Sequence, residues 1–178
     1  MIRLPDRVVI VGSGGGALTI AADLGLAGVE VTLADQPRFS ADVEAVAAAR
    51  GVRVMFDDMG EERLASVAGT SLDPAAAIKG AALVIVSVPS FGHRPVAELI
   101  ASELEDGQTI LWVGEGGGSF TTVAAIRSAG RRPTIRLGDT NSLPYGGARL
   151  TGPGRVRALR KTGGTYLAGL PTAITTDL

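Results

Sequence analysis

The stretch up to Asp35 constrains this chain more than any other. A β-branched run, Arg7-Val8-Val9-Ile10-Val11, passes directly into Gly12-Ser13-Gly14-Gly15-Gly16-Ala17. Apolar residues at helical spacing follow (Ala17, Leu18, Ile20, Ala21, Leu24) and stop at Gly28. A second extended run begins at Val29 and ends on Asp35. Each part has a mechanical role. Gly12 lets the chain turn tightly out of a strand, and Gly14 leaves the backbone bare where a pyrophosphate must come close. Ala17 stands where a third glycine often permits close helix–strand packing. The N–H groups of the first helical turn, at the positive end of the helix dipole, then face an anion, with Ser13, Gly15 and Gly16 completing the cradle. Asp35, about twenty residues after Gly16, suits a carboxylate that accepts hydrogen bonds from an adenosine ribose. A glycine-rich turn that binds nothing is the alternative, and it leaves that acid unexplained. The reading is a dinucleotide site. Asp35 favours NAD, because a carboxylate repels a 2′-phosphate, while Arg38 keeps NADP open by offering that phosphate a cation.

Composition narrows the remaining classes. The net charge of −1 gives no reason to expect nucleic acid or an anionic membrane as partner. The chain has no cysteine, which excludes disulfides, thiolate catalysis and cysteine–zinc sites, and it has one histidine, which excludes a multi-histidine metal centre. No metal is expected. The opening Met1-Ile2-Arg3-Leu4-Pro5-Asp6 lacks the apolar core of a signal peptide. No apolar run reaches the ~18 residues of a membrane span. A cytoplasmic protein is the expectation.

Taken in order, the chain alternates strand and helix signals. Ser40 is placed to cap a helix to about Arg50, with Val43, Val46 and Ala47 inward. Residues 52–56 read as a third strand, the acids Asp57, Asp58, Glu61 and Glu62 as a solvated edge, and residues 63–67 as part of a small hairpin. Asp73-Pro74 is a helix start, acid at the cap and proline at the first position. Residues 82–88 are apolar on both faces and belong in the middle of a parallel sheet. Val88-Pro89-Ser90-Phe91-Gly92-His93 then falls at a carboxyl strand end, where open α/β sheets bind ligands. His93 is a candidate proton donor, although a helix-start histidine more often caps or packs.

A helix is expected from Pro95 to Leu104, a strand over 109–113, and a glycine loop over 114–118. Ser119 is placed to cap the next helix, with Phe120, Val123 and Ile126 inward. A strand over 133–137 leads into the polar cluster Gly138-Asp139-Thr140-Asn141-Ser142. Residues 155–161 alternate basic and apolar, 162–164 turn, and 165–170 return, which reads as an antiparallel hairpin whose apolar side (Val156, Ala158, Tyr166, Leu167) is exposed or covered by a partner. The fold class is α/β: a Rossmann-like, doubly wound, mainly parallel sheet with a C-terminal antiparallel hairpin. Residues 1–150 form the dinucleotide-binding domain and 151–178 its hairpin extension.

The later motifs carry a family likeness. The glycine turn, Ala82-Leu83-Val84-Ile85-Val86-Ser87-Val88-Pro89 with His93 four residues on, the 114–118 loop, and residues 138–142 running on to Arg149 together resemble the N-terminal domain of the octopine/nopaline (opine) dehydrogenases. That family sits among the two-domain dehydrogenases that include 6-phosphogluconate dehydrogenase. The resemblance implies reductive condensation of an α-keto acid with an amino acid, hydride passing from NAD(P)H to the imine carbon. It also implies that Val88, Pro89 and Ser90 line the cofactor cleft, and that Glu115, Thr140 and Asn141 approach the nicotinamide or substrate. Family members continue into a helical domain holding a catalytic histidine–aspartate pair, and no residue here matches that pair. The expected partners are therefore a dinucleotide, a keto acid and an amino acid, with the helical domain supplied by a second polypeptide, a partner protomer or a longer natural chain. A stand-alone NAD(H)-binding module without catalysis of its own is the alternative function.

Overall fold

The computed structural model describes residues 5, 7–114, 116–160 and 164–177. Its centre is the strand whose sequence is apolar on both faces, β6 (Leu83–Val86). Around it a seven-stranded sheet assembles from β1 (Arg7–Val11), β2 (Glu30–Ala34), β5 (Gly69–Ser71), β7 (Thr109–Trp112), β8 (Arg136–Thr140) and β11 (Leu167–Leu170), in the order β11-β8-β7-β6-β1-β2-β5. All pairings are parallel except β11 against β8. The chain winds outward from β1 through β2, then returns to β1's other side as β6. That reversal parts the loops leaving β1 and β6 and opens a crevice at their carboxyl ends.

A second, four-stranded sheet orders β4-β3-β10-β9, from β3 (Gly51–Phe56), β4 (Arg63–Ser66), β9 (Tyr145–Gly152) and β10 (Arg155–Arg160). Helix α1 (Gly15–Leu26) lies between the two sheets. This explains why Ala17 through Ala22 are buried without a break: a helix covered on both sides has no wet stripe. One core joins Val8, Ile10, Val31 and Leu33 to α1 and to Val54, Phe56, Val156 and Ala158. The other packs Val84, Val86, Ile110 and Trp112 against α3 (Pro74–Ala77), α4 (Ser90–Ile100) and α5 (Gly118–Ser128).

Several local expectations change. Residues 52–56 form β3 in the second sheet, and β5 takes the edge beside β2. Ser40 is the first residue of α2 (Ser40–Ala49), not its cap, because a 3-10 turn over Pro37–Phe39 precedes it. Helix α4 starts at Ser90 and keeps Pro95 inside. The carbonyl that Pro95 leaves without an intrahelical donor belongs to Phe91, which is 83% exposed and so open to water. Helix α5 starts at Gly118, with Ser119 buried within it and its N–H donated to the Asp139 carboxylate at 3.3 Å. Phe120 is 70% exposed rather than inward, whereas Ile126 is buried. The strand expected over 133–137 is registered later, as β8.

The C-terminal antiparallel strands are divided between the sheets. The hairpin is β9–β10, turning between Gly152 and Arg155, and β11 pairs with β8 rather than with β10. Val156 and Ala158 alternate inward onto α1 and are buried, whereas Tyr166 is 81% exposed and Leu167 half-buried on the separate strand β11. Of the turn expected over 162–164, residues 162 and 163 lie outside the described residues. The acidic run meets the arginines of β10 instead of standing alone: Asp57 with Arg157, Asp58 with Arg160, and Glu62 with Arg155. Among the described residues no cluster of metal-ligating side chains is found, and no helix is long and apolar enough to cross a membrane.

Candidate functional site

The crevice is built from the turn after β1. Gly12 adopts φ +117°, and its N–H bonds Ala34 O at 2.9 Å, tying the turn to the end of β2. A Cβ there would lie 2.4 Å from Ser87 O, so only glycine lets the turn close against the end of β6. The three following glycines have different roles. Gly14 is the N-cap of α1, and nothing stands within 4 Å of where its Cβ would be. A Cβ on Gly15 would meet Arg149 Cα at 2.8 Å, and one on Gly16 would meet Leu143 and Ser87 Oγ at 3.0 Å. Gly14 alone of the three faces open space; Gly15 admits the backbone of β9, and Gly16 admits the Leu143 and Ser87 side chains. No side chain caps this helix, so its first-turn N–H groups stand ready for an anion.

Asp35, at the tip of β2, is 5% exposed. Ser13 Oγ donates to its Oδ2 at 2.8 Å, and the Gln36 N–H donates to its Oδ1 at 2.7 Å. It lines a cavity of about 270 Å³ with Arg38, Phe39, Asp42, Phe91 and Leu150. The Arg38 guanidinium lies 4.9 Å over the Phe39 ring, and Asp42 accepts the Gly154 N–H at 3.0 Å. A second cavity of about 250 Å³ is lined by Gly15, Gly16, Val113, Gly114 and Leu143. The two share Gly14, Ser87, Val88 and Pro89. The result is a two-lobed cleft with Gly14 at its waist. It offers a carboxylate and exposed aromatic surface in one lobe, bare backbone at the waist, and an apolar wall in the other. A larger groove of about 640 Å³ lies between α5, β8 and β11, lined by Val123, Ile126, Ile135, Leu137 and Leu170. It is mainly apolar, although Arg127, Arg131 and Arg132 also line it, and it sits away from the carboxyl strand ends.

The other sequence candidates fall on and around this cleft. Val88 and Pro89 line both lobes, while Ser90 begins α4, exposed and outside either lining. His93 is buried, its ring centroid 4.9 Å from that of Trp112, so it packs beneath the cleft floor. Thr140 is consumed in holding loops together: its hydroxyl accepts the Gly114 N–H at 3.1 Å and donates to Ser142 O at 3.0 Å. Asn141 is exposed and pairs with the backbone of Tyr166 through both its N–H and its Oδ1. Glu115 lies outside the described residues. Sequence reading missed Ser87, Leu143, Leu150 and Asp42 as lining groups, while Phe91 fell within the run it placed at the ligand-binding strand end. Only Ser87, the last polar residue before the Pro89 stop, carried a local signal.

These features together have a family. The model of the ketopantoate reductase PanE/ApbA family matches residues 8–171. This chain belongs to the ketopantoate reductase PanE/ApbA family. A search of curated proteins gives no match. Among solved structures, it is similar to a PanE/ApbA family ketopantoate reductase from Ralstonia eutropha JMP134, with TM-score 0.70, 24% identity, and coverage of 96% of this chain and 51% of that one. It is similar to octopine dehydrogenase with NADH and pyruvate, with TM-score 0.76, 22% identity and coverage of 92% and 42%. D-mandelate dehydrogenase with NADH and anilino(oxo)acetate gives TM-score 0.73, 19% identity and coverage of 96% and 51%. At these identities the likeness is one of fold. The chain spans about half the length of these structures. Its architecture is a Rossmann-like α/β fold of the PanE/ApbA reductase kind, with mainly parallel sheet and added C-terminal strands.

Proposed function

We propose that this chain is the NAD(H)-binding portion of a reductase acting on a 2-oxo acid, either directly or, as in opine formation, on the imine it forms with an amino acid. The carrying observation is the two-lobed cleft with Gly14 at its waist and Asp35 held ready in one lobe. Asp35 accepts the adenosine ribose hydroxyls, with Phe39, Phe91 and Leu150 as apolar walls for the base. The turn from Gly12 through Ala17 and the first-turn N–H groups hold the pyrophosphate. Ser87, Val88, Pro89 and Leu143 direct the nicotinamide into the second lobe, toward the loops that Thr140 ties together. The nicotinamide, when bound, supplies the hydride; the protein binds and orients it. The Asp42 carboxylate in the same lobe as Asp35 adds to the preference for NAD(H) over NADP(H).

Three structural neighbours support the substrate class: a ketopantoate reductase, a structure holding pyruvate, and one holding anilino(oxo)acetate. Amine-dependent condensation is the finer reading, and the family model supports a keto-acid reduction equally well. A cytoplasmic location and a second protomer or partner domain over the nicotinamide lobe belong to the same proposal. The second reading is an NAD(H)-binding module without catalysis of its own, favoured by a cofactor cleft assembled within this one chain.

The test is a titration of the purified chain with NADH and NADPH, followed by energy transfer from the buried Trp112. NADH is expected to bind more tightly than NADPH, and Asp35→Ala to weaken NADH by about tenfold or more, the worth of a hydrogen bond to a charged acceptor. Failure to bind either nucleotide at millimolar concentration overturns the proposal. Consumption of NADH with a 2-oxo acid, measured with and without an amino acid, separates direct reduction from condensation.

A further inference from the structure

We infer that Ser13 is a positioning residue that sets the choice between NAD(H) and NADP(H) by locking the Asp35 carboxylate; this rests on the dinucleotide reading above. Ser13 occupies the variable position between the first two glycines of the turn, where the fold itself demands no particular side chain. Its hydroxyl is buried and donates to Asp35 Oδ2 at 2.8 Å. The other oxygen, Oδ1, takes the Gln36 N–H at 2.7 Å. A carboxylate has about four acceptor sites over its two oxygens. With one protein donor on each oxygen, each keeps capacity for one more. That matches the two vicinal hydroxyls of an unmodified ribose.

The same lock works against a 2′-phosphate. To admit one, Asp35 must swing aside and a cation must take its place. Ser13 and Gln36 hold one oxygen of Asp35 each, so swinging breaks two hydrogen bonds in a buried setting. The available cation, Arg38, lies over the Phe39 ring, and the Asp42 carboxylate lines the same lobe. Ser13 also belongs to the turn whose next residue, Gly14, forms the waist. The pyrophosphate cradle and the ribose acceptor are therefore one hydrogen-bonded unit, and occupation of the waist fixes the discriminating group.

The test compares Ser13→Ala, Asp35→Ala and the double variant for binding of NADH and NADPH, with a thermal melt of each nucleotide-free variant. Ser13→Ala is expected to weaken NADH by about fivefold to tenfold while leaving NADPH unchanged or tighter, so that the preference contracts. In the Asp35→Ala background the same change is expected to have no effect on either nucleotide, because Ser13 acts only through that carboxylate. Ser13→Thr, which keeps the hydroxyl, is expected to retain the preference. Equal weakening of both nucleotides by Ser13→Ala, or an undiminished effect in the Asp35→Ala background, overturns the inference and makes Ser13 a structural member of the turn. An unchanged NADH affinity overturns it too. Wild-type protein that binds neither nucleotide removes the dinucleotide reading itself, whereas NADH binding that ignores Ser13 removes the lock alone.

Discussion

Gly14 and Gly15 are adjacent, identical in sequence, and separable by experiment. Gly14 has φ −72° and open space at its Cβ position, so Gly14→Ala costs stability only through a poorer N-cap, within about 1 kcal/mol. Its methyl group occupies the waist of the cleft, and nucleotide affinity is expected to fall sharply. Gly15→Ala drives a methyl to 2.8 Å from Arg149 Cα, in backbone that cannot step aside cheaply, and is expected to destabilise by about 1–3 kcal/mol. Urea unfolding beside NADH titration of the two variants gives opposite patterns if the roles are assigned correctly. The glycine run and Asp35 were legible as a turn and a ribose acceptor because both depend on residues close in sequence. Gly14 was legible as the point of close approach, but the packing duty of Gly15 was not, because it is set by β9, more than a hundred residues away.

Helix α1 gains its place from the four strands of the second sheet, none of which the sequence assigned to it. At its exposed end Asp23 accepts the Tyr145 hydroxyl at 2.8 Å and an Arg160 guanidinium N–H at 3.0 Å, joining α1 to β9 and β10. Arg160 also lies over the Phe56 ring at 4.1 Å. Burial, reinforced by the hydrogen bond to Asp23, pushes the Tyr145 phenol well above the ordinary tyrosine range. A raised phenol favours the neutral form in the fold. Its contribution is fully present below the unfolded value near pH ~10 and is lost as pH rises beyond that. Tyr145→Phe is expected to cost about 1 kcal/mol at neutral pH and to flatten the loss of stability above pH ~10, measured by urea unfolding across pH. Thr122→Val is a companion case on the other core, because it strands the buried Trp112 indole N–H that Thr122 Oγ1 accepts at 3.0 Å. An expected loss of about 1–3 kcal/mol follows from that unpaired donor. The C-terminal pairing escaped sequence reading for a related reason. Two turn signals, Pro153-Gly154 and Gly163-Gly164, flank the same alternating strand, and alternation alone does not say which neighbour it joins.

For the molecule as a whole, a cleft assembled from β1, β2, β6, β7 and β9 couples ligand to fold. Saturation with NADH at one hundred times its dissociation constant stabilises the native state by about 2.7 kcal/mol. For a chain of this size each kcal/mol raises Tm by roughly 2–4 °C. A thermal shift of about 5–10 °C with NADH is therefore expected, reduced to about half or less in Asp35→Ala at the same concentration, where tenfold weaker binding leaves about 1.4 kcal/mol. The sequence by itself determined the alternating α/β pattern, the central place of β6, the glycine turn and the acid facing it, because each is written in local periodicity, turn chemistry or spacing within one strand–helix–strand unit. Only the tertiary structure decided that β3 and β10 leave the main sheet to cover α1, that β11 closes its far edge, and that the cleft has two lobes walled by Leu143, Leu150 and Phe91. Those outcomes are set by which apolar faces find each other across long stretches of chain, and contacts of that kind leave no mark in the spacing of neighbouring residues.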